Sequence, residues 1–136
     1  MPSVAVDTGL LVAFLSKDDD DFLLAQKFFQ KNSGILITNL PVLTEAAYLL
    51  SRRPGAAADL LRWVAKTFDI DKETAIDLPR IVEIMTKYAD LPADFADASL
   101  LAMCERRGLS EIATFDKDFD VYQMASGTRL QNVIRS

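Results

Sequence analysis

Short apolar runs alternate along this chain with longer stretches whose apolar residues recur at helical spacing. Val4-Ala5-Val6 is a brief apolar run that ends at Asp7, and Leu10 to Leu15 follow as an apolar stretch leaving Thr8. The pattern predicts a buried strand, an acid at its carboxyl end, and a helix that starts at Thr8. Asp18 to Asp21 precede Phe22-Leu-Leu-Ala-Gln-Lys-Phe-Phe, and Asn32-Ser33-Gly34 ends that segment. The four acids read as favouring a helix N-terminus rather than as a metal site. Ile35-Leu36-Ile37 reads as a second strand, and Thr38-Asn39 as the cap of a helix over residues 41–52.

That helix holds Glu45 among Val42, Leu43, Ala46, Ala47, Leu49 and Leu50. An acid on so apolar a helix lies in or beside the core, and a carboxylate there needs a partner or a cation. Residues 52–55 form a loop, 56–66 a helix, 67–70 a third strand, and Asp71-Lys72-Glu73 open a helix to about Tyr88. Trp63 reads as a core or subunit anchor. Asp69, Asp71, Asp77 and Glu83 read as caps or helix surface.

The most informative stretch runs from Leu91 to Phe119. Pro92 suits the first turn or lead-in of a helix, and Ala96, Leu100, Leu101, Met103 and Cys104 form its core stripe. Asp94 and Asp97 stand three apart and share a face of it. Glu105, Arg106 and Arg107 make its wet end, and Gly108 stops it. Glu111-Ile112-Ala113-Thr114 is a short strand with Asp116 just past its carboxyl end, where open α/β sheets place their ligands. A turn at residues 117–119 and a closing edge strand over 128–134 complete the reading. Strands alternating with helices predict an α/β fold: a short parallel sheet of about four or five strands in three layers, helices on both faces.

Composition narrows the chemistry. The 136 residues suit one domain, 1–136, and half of them are hydrophobic, enough for a sizeable core. A net charge of -5 argues against broad electrostatic adhesion to nucleic acid, leaving local cations such as Arg52, Arg53, Arg106, Arg107 or Lys117 to meet a polyanion. Cys104 is the one cysteine, so no internal disulfide forms, and a reducing, cytoplasmic compartment fits. The first apolar run lacks a basic leader and is not read as a targeting segment, and no stretch is long enough to span a membrane.

The chain has no histidine, which removes Ser-His-Asp, Cys-His and imidazole-base mechanisms together, and its scattered glycines form no phosphate loop. Carboxylate chemistry remains. Asp7, Glu45, Asp97 and Asp116 each follow a strand, open a helix or stand on an apolar helix. Brought together, they would repel one another and take up protons unless a cation neutralised them. Oxygen ligands suit Mg2+ or Mn2+, and such a cluster serves in-line phosphoryl displacement, which makes phosphodiester hydrolysis the leading reaction class.

Asp7-Thr8, Glu45 after Thr38, Asp97-Ala98 and Thr114-Phe115-Asp116-Lys117-Asp118-Phe119 together resemble a PIN domain, especially the VapC-type toxin ribonucleases of bacteria and archaea. The resemblance spans nearly the whole chain. It implies a metal-dependent endoribonuclease acting on RNA, a homodimer, and a VapB-type antitoxin that inserts a segment into the active site. It maps the family's acidic quartet onto Asp7, Glu45, Asp97 and Asp116. Asp7 and Asp97 would ligate Mg2+ or Mn2+ directly, Glu45 and Asp116 would hold its water or a second ion, and Thr114 would be a supporting hydroxyl. Asp94 is a further candidate beside Asp97. Two alternatives remain at this point: a non-catalytic interaction module of the same fold, and an aspartate-dependent phosphatase that phosphorylates Asp7.

Overall fold

The computed structural model describes residues 2–91 and 93–134, so the expectation for Pro92 lies outside the described residues. Its strands are β1 (Ser3–Val6), β2 (Ile35–Asn39), β3 (Asp69–Asp71), β4 (Glu111–Ala113) and β5 (Gln131–Asn132). They form one sheet in the order β3-β2-β1-β4-β5, and every pairing is parallel. Successive strand side chains point to opposite faces. Val4, Ala5 and Val6 are all buried, as are Leu36, Ile37, Thr38 and Asn39, so both faces of the sheet are covered.

Among the described residues six helices supply the cover: α1 (Thr8–Phe14), α2 (Phe22–Lys31), α3 (Leu40–Leu49), α4 (Ala56–Thr67), α5 (Thr74–Lys87) and α6 (Phe95–Arg107). Asn39 caps α3 by accepting from the Val42 N–H at 3.0 Å, with Pro41 in the first turn. Its amide also donates to Ser99 Oγ at 3.1 Å, which ties the start of α3 to α6. Asp94 caps α6 by accepting from the Asp97 N–H at 2.8 Å, and Gly108 ends it at φ 68°, a left-handed conformation that glycine adopts without a Cβ penalty. Trp63 stacks with Phe14, Phe29 and Phe68 at ring distances of 4.7, 4.9 and 5.2 Å, a core anchor as its sequence context suggests.

Four expectations need correction. The α6 helix is not one-sided: Ala96 and all residues from Ala98 to Cys104 are buried, so it runs through the protein with its charged residues confined to its ends. Arg106 and Arg107 are not a wet end. Arg106 pairs with Asp71 at 2.7 Å and Asp77 at 2.8 Å, and Arg107 with Asp71 at 3.0 Å and Asp69 at 2.5 Å. Asp71 and Asp77 are accordingly buried rather than helix surface, since Arg106 neutralises both and Arg107 adds a second partner for Asp71, which also caps the chain before α5 by accepting from the Glu73 N–H at 2.9 Å. Glu105 is likewise held, by Arg80 Nε at 2.7 Å.

The remaining differences are local. The acids before α2 form a turn in which Asp19 accepts from the Asp21 N–H at 2.8 Å, while Asp18 pairs with Arg53 at 2.6 Å; Asp21 itself makes no side-chain cap bond. The expected helix over 41–52 stops at Leu49, residues 117–120 form a 3-10 turn, and the closing strand is confined to Gln131–Asn132. Among the described residues no helix is long and apolar enough to cross a membrane.

Candidate active site

In the strand order, the chain winds from β1 outward through β2 and β3, then returns to place β4 on the other side of β1. The reversal makes the carboxyl ends of β1 and β4 a topological switch point, where open α/β sheets hold ligands. Asp7 directly follows β1, and Thr114 and Asp116 follow β4. The first turn of α6 brings Asp97 to the same place, and α3 brings Glu45 beside it.

Asp7, Asp97 and Asp116 each offer a carboxylate oxygen within 4.8 Å of the others. They line a cleft of about 320 Å³ together with Thr8, Gly9, Glu45, Leu49, Asp94 and Phe115. All four acids singled out from the sequence, and Asp94, are therefore neighbours in space. Glu45 is half-buried beside the core, as its apolar helix suggests.

Asp7 is 4 % exposed. Its Oδ2 accepts from the Thr114 hydroxyl at 2.7 Å, and that same hydroxyl oxygen accepts from the Asp116 N–H at 2.9 Å. Asp7 Oδ1 is buried and has no hydrogen-bond partner among the described residues. Such an orphan acceptor costs about 1–3 kcal/mol, and a cation in the cleft would satisfy it. An all-oxygen donor set on three converging carboxylates fits a hard divalent ion such as Mg2+ or Mn2+.

Protonation tells the same story. Burial pushes Asp7 up to about 6, against the Thr114 hydrogen bond that favours its charge. Burial and then the charges of Asp94 and Asp7 raise Glu45 to about 7. Asp97 rises to about 8, first by burial and then by repulsion from Asp7, Asp94, Asp116 and Glu45. The cluster carries more negative charge than its surroundings can support, and a bound cation is what would relieve it.

Two features of the site escaped the sequence reading. Asn132, on the edge strand β5, grips Thr114 with its side-chain amide: Nδ2 donates to the Thr114 carbonyl at 2.9 Å and Oδ1 accepts from the Thr114 N–H at 3.3 Å. A wide apolar groove of about 710 Å³ also adjoins the acid cleft, sharing Glu45 and Asp94 with it and exposing Leu40, Tyr48 and Phe95. Arg106 and Arg107 leave the roster of RNA-facing cations, being held by buried acids, whereas Arg52 and Lys117 are exposed.

A family model described as the PIN domain matches residues 4–123. Ribonuclease VapC26 of Mycobacterium tuberculosis is 26 % identical over 115 residues, an alignment that covers 82 % of this chain and 85 % of that protein. The crystal structure of Mycobacterium tuberculosis VapC20, described as a sarcin-ricin loop cleaving toxin, superposes with a TM-score of 0.81 over 93 % of this chain and 98 % of that one. At 23 % identity that likeness speaks for the fold.

Proposed function

The chain belongs to the PIN domain family, and from that premise we propose that it is a metal-dependent endoribonuclease, the toxin of a VapBC-type toxin-antitoxin pair. The observation that carries the reading is the convergence of Asp7, Asp97 and Asp116 within 4.8 Å, with Asp7 Oδ1 buried and unpartnered among the described residues.

In this reading Asp7 and Asp97 would hold Mg2+ or Mn2+ directly, Asp116 would complete the set, and Glu45, which lines both the cleft and the adjoining groove, would hold a water for hydrolysis. A bound divalent cation supplies Lewis acidity toward the scissile phosphate and a more acidic water. Thr114 fixes one oxygen of Asp7 and leaves the other for the cleft. Asp94 keeps the α6 N-terminus, and so Asp97, aimed inward. The same acids repel an RNA backbone, so binding of the polyanion would rest on a cation held there and on exposed Arg52 and Lys117.

So read, residues 1–136 form one domain that pairs as a homodimer, binds a VapB-type antitoxin and acts in a reducing, cytoplasmic setting. Exposed Leu40, Tyr48 and Phe95 beside the cleft give apolar surface for protein contact. A phosphatase that phosphorylates Asp7 is disfavoured, because one oxygen of that residue is engaged by Thr114 and the residue is buried.

The test is to incubate a mixed RNA pool with purified, partner-free protein in Mg2+ or Mn2+ and in EDTA. Fragments formed with metal and absent with EDTA are expected. Intact RNA throughout, with calorimetry showing no binding of either ion, would turn the reading to a non-catalytic module of the same fold.

A further inference from the structure

We infer that Asn132 is a positioning residue for the acid cluster, fixing the backbone of Thr114 and thereby choosing which Asp7 oxygen faces the cleft. Its catalytic meaning rests on the nuclease reading; the positioning itself does not.

Among the described residues, the backbone of the β5 segment reaches β4 through the Gln131 N–H on the Ser110 carbonyl and the Val133 N–H on the Ile112 carbonyl, both at 2.9 Å. Thr114 lies two residues past Ile112, is fully buried, and needs partners for its own N–H and carbonyl. One side chain supplies both. The Asn132 amide accepts from Thr114 N at 3.3 Å and donates to Thr114 O at 2.9 Å, so it meets both groups as a peptide unit of a neighbouring strand would. Its Oδ1 also accepts from the Ile134 N–H at 3.1 Å, which anchors the amide from the other side.

A clamped backbone restricts the rotamer of a β-branched side chain. The Thr114 hydroxyl is then held between Asp116 N at 2.9 Å and Asp7 Oδ2 at 2.7 Å. An amide N–H can only donate, so the Thr114 oxygen accepts from Asp116 and its single proton goes to Asp7. Asp7 Oδ2 is thereby occupied and Oδ1 is the oxygen left for the cleft. No other side chain does this as well. Aspartate lacks the donor, glutamine is a methylene longer, and serine cannot bridge both backbone groups.

The experiment compares Asn132→Ala and Asn132→Asp with Leu130→Ala, a buried neighbour on the same segment whose loss weakens the core without touching Thr114 hydrogen bonds. In the metal-free protein, three-bond couplings to the Thr114 methyl report its rotamer, and amide exchange reports the Asp116 N–H. The wild type should show one rotamer. Both Asn132 variants should show an averaged rotamer and Asp116 exchange faster by about tenfold or more, while Leu130→Ala keeps the single rotamer. Should Asn132→Ala fail to fold, Asn132→Asp carries the same prediction, since it retains two of the three bonds.

In RNA cleavage, Asn132→Ala and Thr114→Val should each lower kcat by about tenfold or more with KM kept, the scale on which metal-site supporting residues act. Their combination should be no worse than the more impaired single variant, because both break one relay. A single Thr114 rotamer in Asn132→Ala, or losses that multiply in the double variant, would overturn the inference. Averaged Thr114 in Asn132→Ala with no metal-dependent cleavage by the wild type would sustain the positioning role and sink the nuclease reading alone.

Discussion

The Thr114 hydroxyl reaches Asp7 Oδ2 at 2.7 Å across 107 positions of sequence, joining the carboxyl ends of two adjacent parallel strands. That bond makes β1 and β4 one site rather than two strand ends. Thr114→Val keeps the shape and removes the donor. It should cost about 1–2 kcal/mol in denaturant unfolding, because a buried carboxylate oxygen loses its partner, and it should lower RNA cleavage by about 10–100-fold.

Asp97 is held near 8 by burial and by four neighbouring carboxylates, so it destabilises the empty site in its charged form. Asp97→Asn removes a charge and keeps the volume. At pH 8 without metal it should gain about 1 kcal/mol and raise Tm by about 3–6 °C, as is common when a functional site holds unfavourable charge. The same variant should lose its thermal shift with Mn2+ and its cleavage of RNA. A calorimetric scan in which Asp97→Asn melts below wild type at pH 8 without metal would contradict the account.

The pH dependence has a definite sign. Asp7 at about 6, Glu45 at about 7 and Asp97 at about 8 all stand above their ordinary values of 3.8 or 4.5. The folded protein therefore keeps protons that the unfolded chain releases, and this contribution is full below about pH 4 and fades as pH rises toward 8. Asp71 and Glu105 act oppositely. Burial raises both, yet arginine and backbone hydrogen bonds outweigh it and hold them low, so their contribution is lost in acid. The metal-free Tm should thus peak near pH 4–6 and fall toward pH 8.5, and saturating Mn2+ should flatten that fall. Differential scanning fluorimetry across the range checks both halves.

Arg106 joins Asp71, 2 % exposed at the side chain, and Asp77, 7 % exposed, at the far end of the helix that carries Asp97. Arg106→Leu leaves two buried carboxylates with a lost partner, and it should destabilise by about 2–4 kcal/mol in chemical denaturation. Cleavage per folded molecule should persist at a temperature where the variant remains folded, since Arg106 touches none of the cleft acids. A loss of activity with stability intact would place Arg106 among the RNA contacts instead.

The parts legible in sequence were those set by neighbours in sequence. Asp7 after an apolar run, Asn39 before a helix and Gly108 after one are local signals, and each stands where periodicity and capping put it. Glu45 announced itself by standing on an apolar helix, and the shared face of Asp94 and Asp97 followed from their spacing. The clamp of Asn132 on Thr114 and the pairing of Arg106 with Asp71 span 18 and 35 positions. Nothing local marks them: an asparagine near a strand reads as a turn residue, and arginines in a last helical turn read as dipole partners. The same blindness made α6 look one-sided, because a helix passing through a core shows only the stripe that its sequence neighbours define.

The measurement that bears most directly on the central claim is the rate of RNA cleavage against Mn2+ concentration, for wild type beside Asp7→Asn and Asp97→Asn at equal folded fraction. Saturable, metal-dependent cleavage by wild type that is lost in both variants is the predicted result. Cleavage that persists in both variants, or that proceeds equally in EDTA, would contradict a carboxylate-held metal at the carboxyl ends of β1 and β4.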